Sequence, residues 1–435
     1  MIKEVSSIIS GWKTEKRAIL SQIGIFSFIF LWDLKYDYYQ LRYLIVIPFL
    51  LILINLKNTQ YNFLLKCSLA PLLILIHLFL TNISISINLD NRDILGILFL
   101  FIVFYVSFFY KKEIFNNLDK HINWFTIIFS ISFFLFFVLT NSKFILNCYN
   151  GWFFQTKFIF VENSHFALIA VPIINYYSLI FCKLKNFNKN NKITFTFFII
   201  FLIISFLNFS TTFLVGLIVT NFYLLFFYKN NIKLKILSIV FILLSFFIIF
   251  NKSECSDRTI HSLKSLPQYF KETMMPQYFK ETTLPKSTDP DIKYEEKEKQ
   301  VINMSIETFL ISLQITFKSI RDNPFGVGFN RYQDAHAKYI KKIHLLDPDI
   351  KKNNIYDGSS NISKLITEFG IFGIIFILTF IYTTLKFKNF ESKKFFLLSV
   401  ILLQFIRGVG YFNGGFLLLA IIYFYNYLKI REKND

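Results

Sequence analysis

Long apolar runs separated by short polar links dominate the chain, and this pattern predicts membrane-spanning helices. A helix needs roughly 20 residues to cross the hydrocarbon core of a bilayer. The apolar runs lie at 17–33, 42–56, 62–81, 93–110, 122–140, 165–182, 193–208, 211–228, 233–250, 364–385, 395–408 and 412–428. The sequence therefore predicts an all-α polytopic membrane protein with about twelve transmembrane helices.

One polar segment, 251–363, interrupts this pattern between the ninth and tenth runs. It holds 17 Lys and Arg and 15 Asp and Glu, so it is not a simple charged tail. Apolar residues recur at helical spacing over 301–320, which predicts an amphipathic helix that lies on the membrane or packs across the top of the bundle. The predicted organisation is nine spans in 1–250, one large loop, and three spans with a tail in 364–435.

Positive charge sets the predicted orientation. With the N-terminus in the cytoplasm, the cytoplasmic segments hold 22 Lys and Arg and the short external loops hold 6. Membrane proteins carry this excess on the cytoplasmic side. We therefore expect both termini inside and the large loop outside, with the N-terminal run kept as an anchor rather than removed as a signal peptide.

Composition narrows the function classes further. The chain is 54% hydrophobic with a mean hydropathy of +0.48, and its net charge is +19. Much of that positive charge comes from Lys and Arg in segments where anionic lipid head groups would attract them. No basic soluble module is present, so nucleic acid is not an expected partner. The six His and four Cys show no spacing suited to zinc, so neither a metal nor a cofactor is predicted.

Arginine is scarce on the predicted external side. Arg321 and Arg331 flank the Gly-rich stretch "DNPFGVGFN", and Arg407 opens "RGVGYFNGG" at the end of a span. Arginine suits bidentate contact with phosphate oxygens. The alternative is that each side chain extends toward lipid head groups.

A second external stretch, "KFIFVENSHFA", enters the sixth run. Glu162 and His165 are three residues apart at the start of a helix, so they would share a face, where either group could act as a general base. The alternative is that "ENSH" caps the N-terminus of the helix.

Two stretches together resemble the superfamily of O-antigen ligases and O-antigen polymerases, which are glycosyltransferases of the bacterial inner membrane. They are "NPFGVGF" and, about 30 residues later, "DGSSNISKLITEFGIFG". The matching residues are Pro324, Gly326, Gly328, Phe329, Asn361, Leu365, Glu368, Gly370 and Gly373. The resemblance implies a GT-C-like helical bundle that transfers a glycan from polyprenyl diphosphate to a sugar hydroxyl on the periplasmic face without a metal.

One departure from the family favours a branch. Ligases carry a His where this chain has Ser360, and that His is implicated in their catalysis. Its loss favours the polymerase, whose acceptor is another lipid-linked repeat unit. The ligase, which transfers glycan to lipid A-core, is the alternative. A ligase-like sequence would also carry an Arg ahead of "ENSH", where this chain offers Lys157.

The resemblance suggests roles for the candidate residues. Cations would hold the departing diphosphate, and the residues are Arg321 and Arg331, with Lys157 and Arg407 as further candidates. Glu162 or His165 would serve as base. Ser360 and Asn361 would position the loop or contact sugar, and Glu368 would form a structural hydrogen bond or take part in chemistry. The implied partners are a polyprenyl-diphosphate-linked oligosaccharide, membrane lipid and a chain-length regulator.

A lipid-oligosaccharide flippase is the rival class, and a membrane scaffold without chemistry is a third. A carrier should bind its cargo near mid-membrane, between inverted repeats. The predicted spans hold few ionisable residues and no inverted repeat. The ionisable residues include Asp33, Lys66, His77 and Glu368.

Overall fold

The structure is a computed structural model that describes a large part of the chain. The described residues are 17–32, 35–36, 39–54, 68, 72–81, 91–139, 163–184, 189–207, 210–227, 231–250, 304–343, 354–385, 391–408, 410–411, 415 and 418. Two predicted site residues, Lys157 and Glu162, lie outside them, as do 251–303 and 344–353 of the predicted loop.

Helices make up nearly all of the regular structure in these ranges. They are α1 (Arg17–Phe30), α2 (Val46–Ile54), α3 (Leu72–Thr81), α4 (Asn91–Leu139), α5 (Asn163–Lys183), α6 (Lys189–Leu207), α7 (Thr211–Phe227), α8 (Ile232–Phe250), α9 (Met304–Asp322), α10 (Tyr332–Tyr339), α11 (Asn361–Phe369), α12 (Ile371–Leu385) and α13 (Glu391–Ile406). Short 3₁₀ helices occupy Leu41–Ile45 and Ile340–Lys342, and an antiparallel pair joins Lys35–Tyr36 to Tyr39–Gln40.

Three stretches of these helices are long and apolar enough to cross a membrane. They are Asp93–Leu135, Ser164–Lys183 and Ile232–Ile249. Six shorter apolar helices of 10–17 residues accompany them within the described ranges. The prediction of an all-α chain with helices fit to span a membrane is confirmed at this level, and the total of twelve spans stays a prediction.

Helix α4 differs from the sequence prediction of two spans joined by a polar link at 111–121, because the link is itself helical. The two halves nevertheless fold back toward each other. The ring of Phe99 lies 6.1 Å from that of Phe28, and Phe125 lies 4.9 Å from Phe30. A straight helix would hold residues 99 and 125 about 39 Å apart, which these contacts with two nearby residues of α1 do not allow. Helix α4 is therefore strongly bent between them.

Lys393 of α13 binds backbone oxygens in the middle of α4. Its Nζ donates to the carbonyls of Phe115 at 2.6 Å and Asn116 at 3.5 Å, and lies 3.2 Å from Asp119 Oδ2. The hydroxyl of Tyr176 on α5 donates to Asp119 Oδ1 at 2.7 Å. An inserted donor of this kind is a recognised cause of helix bending. The polar link is thus packed against α5 and α13.

The helical bundle, defined as α4–α8 and α13, centres on α5. This helix packs most extensively against α13 and then α7. It is buried on all sides from His165 to Leu179, as expected of a helix that is apolar around its whole circumference. Stacked rings of Phe125, Phe129 and Phe166 fill the contact between α4 and α5.

The loop segment, defined as 304–343 and 354–369, forms a second, smaller core. Helices α9, α10 and α11 pack against one another, and their core residues are Ile311, Ile315, Val327, Tyr332, Ala335, Tyr339, Ile340 and Ile343. The predicted tenth span, 364–385, is broken at Gly370 into α11 and α12. This break positions the candidate site.

Candidate functional site

The Gly-rich turn is bonded directly to the junction of α11 and α12. The amides of Val327 and Gly328 donate to the carbonyls of Thr367 at 3.1 Å and Glu368 at 2.9 Å, and Ile371 N donates to Pro324 O at 2.9 Å. The last carbonyls of a helix have no partner within it. The turn supplies those partners for α11, so the two stretches that carry the family resemblance meet in space.

Two glycines make this close approach feasible. Gly326 has φ +87° and Gly370 has φ +57°, a backbone conformation that glycine adopts readily and other residues rarely do. A Cβ at Gly370 would overlap the carbonyl oxygen of Pro324, and one at Gly326 would overlap that of Glu368. These glycines therefore allow the turn to pack closely against the C-terminal end of α11.

Glu368 is fully buried behind this junction and joins three parts of the chain. Its Oε2 accepts the Tyr411 hydroxyl at 2.6 Å, and its Oε1 accepts the Tyr332 amide at 3.2 Å. Lys364 Nζ lies 3.7 Å from Oε1 and donates to the carbonyl of Tyr356 at 2.7 Å. Of the two roles that the sequence leaves open for Glu368, these contacts favour the structural one.

The two arginines that flank the turn have opposite surroundings. Arg331 is 5% exposed, with Nη2 2.5 Å from Asp93 Oδ2 on α4 and Nη1 3.5 Å from Asp334 Oδ2. Arg321 is exposed at the end of α9. The sequence predicts that both bind diphosphate, yet the Arg331 guanidinium is committed to an internal ion pair.

The predicted substrate-binding residues Ser360, Asn361 and Arg407 come together at the N-terminus of α11. Ser360 is the N-cap, and its Oγ accepts from Ser363 N at 3.2 Å. Arg407 directly precedes Gly408, whose amide donates to Ser359 O at 3.0 Å. Gly408 lies so close to Asn361 that a Cβ on Gly408 would overlap the backbone nitrogen of Asn361.

The two polar atoms of the Asn361 side chain differ in their hydrogen bonding. Its Nδ2 donates to Gln404 Oε1 of α13. Its Oδ1 is buried and has no hydrogen-bond partner among the residues that the structure describes. A buried polar atom without a partner costs free energy. Asn361 is therefore the strongest candidate here for contact with a polar ligand.

The predicted base His165 lies at the start of α5 and is 7% exposed. Its ring centroid is 5.3 Å from that of Trp32. Its predicted partner Glu162 and the cation Lys157 fall outside the described residues, so the base assignment stays a prediction.

An apolar cavity of about 490 Å³ opens beside the Gly-rich turn. It is lined by Leu73, Ile74, Ile76, His77, Leu80, Leu100, Phe104, Phe329, Leu365, Phe369, Phe372, Gly373, Phe376 and Tyr411. Among these, His77 Nε2 bonds the Phe325 carbonyl at 2.8 Å, and its Nδ1 is buried without a hydrogen-bond partner in the described part of the chain. The cavity suits a long apolar chain with few polar groups.

A small polar pocket lies within the loop segment. It is lined by Thr308, Ile311, Ser312, Tyr332, His336, Asn354 and Ser359. His336 is 4% exposed, and its ring centroid is 6.3 Å from that of Tyr332. Burial lowers the pKa of His336 and raises the pKa of the Tyr332 hydroxyl.

Sequence reasoning missed Asp93, Tyr411 and Lys364. Asp93 offered a signal, because an acidic residue that opens a long apolar run is expensive unless it is paired. Tyr411 and Lys364 offered none, since neither residue type is unusual near a predicted span end.

Comparison with protein-family models, with curated proteins and with solved structures finds no match for this chain. The resemblance to the O-antigen superfamily therefore rests on the residues quoted for it.

Proposed function

We propose that this chain is a multi-pass glycosyltransferase of the bacterial inner membrane that polymerises lipid-linked saccharide repeat units on the periplasmic face. The reaction moves a growing glycan from polyprenyl diphosphate to a sugar hydroxyl of another lipid-linked repeat unit. Both termini would be cytoplasmic, the bundle GT-C-like with about twelve spans, and 251–363 periplasmic.

One observation carries this proposal: α11 joins a polar site to an apolar cavity. Its N-terminus holds Asn361 with Arg407 nearby, and its C-terminal half supplies Leu365 and Phe369 to the cavity wall. Asn361 and Phe369 are separated by about 12 Å of helix. A substrate with a polar head and a long apolar tail matches this arrangement.

The residue roles follow from these surroundings. The cavity would take part of the polyprenyl chain, and cations would stabilise the departing diphosphate. Arg407, at the N-terminus of α11, is the cation that we assign to that task, with Arg321 and Lys157 as further candidates. Arg331 would position the turn through Asp93. Glu162 or His165 would remove the proton of the acceptor hydroxyl.

The polymerase is favoured over the ligase by the place of Ser360. Its hydroxyl caps α11 and bonds Ser363 Oγ at 2.9 Å, so this position serves the helix rather than carrying a catalytic imidazole. Asn361 is then the neighbouring group available to contact sugar.

A deletion strain tests the reaction. Surface polysaccharide would be separated by size on a gel, and we expect lipid core that bears a single repeat unit with the ladder lost. Bare core with long polymer still attached to its carrier lipid would instead identify a ligase. An unchanged ladder would overturn both.

Complementation tests the site. Wild type and Lys338→Ala, a change in an exposed cation of α10, should restore the ladder, whereas Asn361→Ala and Arg407→Ala should not. Immunoblots of the membrane fraction establish that each variant is present at the wild-type level. Full ladders from both site variants would contradict the assignment of the α11 N-terminus as the glycan site.

A further inference from the structure

Helix α9 turns its hydroxyl-bearing side inward. Thr308, Ser312, Thr316 and Ser319 recur at helical spacing, and each is at most 5% exposed. Ser312 Oγ donates to the carbonyl of Gly358. Thr316 Oγ1 lies 3.3 Å from the carbonyl oxygen of Ser363 and 3.0 Å from Thr367 Oγ1 on α11. The hydroxyl groups of Ser312 and Thr316 therefore form contacts within the protein.

One apolar strip of α9 faces outward, whereas Ile311 and Ile315 on another side of the helix lie in the core of the loop segment. Phe309, Leu313 and Phe317 follow each other at intervals of four residues; the first two are half-buried and Phe317 is 61% exposed. In the turn that follows, Phe325 is 62% exposed. A helix side that faces water normally carries polar residues. The exposed side of α9 therefore fits an apolar medium.

Phe325 continues a strip of exposed apolar side chains along α12. Its ring centroid lies 6.0 Å from that of Phe372. Ile371, Phe372, Ile375 and Leu378 are 48–59% exposed and share one face of α12. An apolar strip along a whole helix is the surface that lipid chains cover in a membrane protein. The turn thus extends the lipid-type surface of α12 toward α9.

Cations lie beside this surface. Arg321 is exposed one helical turn after Phe317, and the exposed Lys338 of α10 has its Nζ 3.8 Å from Asp322 Oδ2 at the end of α9. Arg and Lys side chains at the edge of an apolar surface reach lipid phosphates. The chemistry at the end of α9 therefore changes from apolar to cationic, in the order that a bilayer changes from acyl chain to head group.

We propose that α9 and the turn at Phe325 are immersed in one leaflet of the bilayer that surrounds α12. Phe317 and Phe325 lie among acyl chains and Arg321 lies among the phosphates. Of the two positions predicted for the amphipathic helix, on the membrane or across the top of the bundle, this proposal selects the membrane. The inference concerns lipid contact alone and does not depend on the proposed reaction.

Site-specific fluorescence tests the immersion in the full chain. The environment-sensitive dye NBD would be attached to a single cysteine at Phe317→Cys, Phe325→Cys or, as the control in water, Lys338→Cys, after the four native cysteines are changed to serine. The protein would be reconstituted in vesicles of phosphatidylcholine and phosphatidylglycerol. We expect dye at 317 and 325 to be quenched by nitroxide on the acyl chain and shielded from aqueous iodide, and dye at 338 to show the opposite.

Two results would overturn the proposal. Quenching by iodide at 317 and 325 would place this face in water. Shielding from both quenchers would mean that protein, either another part of this chain or a partner, covers the face. Only variants with wild-type thermal unfolding are compared, and Leu313→Cys on the same side of α9 replaces Phe317→Cys if that variant does not fold.

Discussion

The helical bundle is held mostly by apolar contacts, although it also buries charged residues such as Lys111 and Lys393, whereas buried charges are prominent in the loop segment. The bundle is filled by apolar and stacked aromatic groups, such as Phe129 against Phe166 at 4.9 Å between ring centroids. The loop segment buries Arg331, Glu368 and Lys364, each held by named partners. Apolar packing has many interchangeable contacts, whereas a buried charge depends on one or two groups.

This difference predicts how each region responds to substitution. Replacing one apolar side chain by another of similar volume usually costs less than about 1.5 kcal/mol. Removing one partner of a buried ion pair costs about 3–5 kcal/mol, because the other charge is left uncompensated. The loop segment should therefore be the region where single substitutions do most damage.

The largest effect is expected at the pair formed by Asp93 and Arg331. Asp93→Met or Arg331→Met alone should lower the free energy of unfolding by about 3–5 kcal/mol. Converting both residues to Met removes both charges and should recover most of that loss, because neither is then buried alone. Thermal unfolding in detergent measures each variant, with Phe129→Leu in the bundle and Arg321→Met at the exposed position as controls.

A loss in the double variant equal to the sum of the two single losses would contradict the contrast between the bundle and the loop segment. They would mean that each side chain contributes through its own packing rather than through its partner. A loss for Arg321→Met as large as that for Arg331→Met would also contradict the distinction drawn between the two arginines.

The next largest effect is the loss of stability when Gly370 or Gly410 is replaced by Ala. Comparing the two separates the cost of backbone strain from the cost of overlap with neighbouring atoms. Gly370 and Gly410 both have positive φ, +57° and +79°. A Cβ at Gly370 would overlap Pro324 O, whereas at Gly410 the nearest atom would be Asp357 Oδ1 at 3.6 Å. We expect Gly410→Ala to cost about 1–2 kcal/mol from backbone strain and Gly370→Ala about 1–3 kcal/mol more from overlap.

Unfolding midpoints in detergent compare these variants directly. Equal losses would show that strain alone decides, and that the turn relaxes away from the end of α11 without cost. The fit between the two stretches that carry the family resemblance would then be looser than the hydrogen bonds indicate.

How far the sequence predicts the structure also differs between the two regions. The apolar runs at 211–228 and 233–250 correspond closely to α7 and α8, because the length of an apolar run is a local property. The run at 364–385 instead contains the break at Gly370. Asp93 and Arg331 are 238 residues apart, and local periodicity holds no information on which distant charges pair. The external position of Arg331 therefore suggested a ligand-binding role, and the grouping of Ser360, Asn361 and Arg407 came from the resemblance rather than from spacing.

The smallest effect is a pH response of the loop segment. Burial lowers the pKa of His336, so the unfolded chain, with its imidazole pKa near 6.5, binds a proton that the folded chain resists. Stability from this group is present above about pH 6.5 and is lost as pH falls through the lower pKa of the folded state. Acidification should therefore loosen the packing of α9–α11 around His336.

Hydrogen exchange at pH 7.5 and pH 5 can locate this loosening. Amides of α9, α10 and α11 should exchange faster at the lower pH, while those of α5 and α7 should not, after correction for the intrinsic pH dependence of exchange. His336→Gln removes the titrating group and should reduce the difference, whereas Lys338→Ala should leave it unchanged because that side chain is exposed. Equal acceleration of exchange in the bundle and the loop segment would mean that the two regions do not differ in their response to pH. An undiminished response in His336→Gln would mean that other titratable groups set the pH dependence.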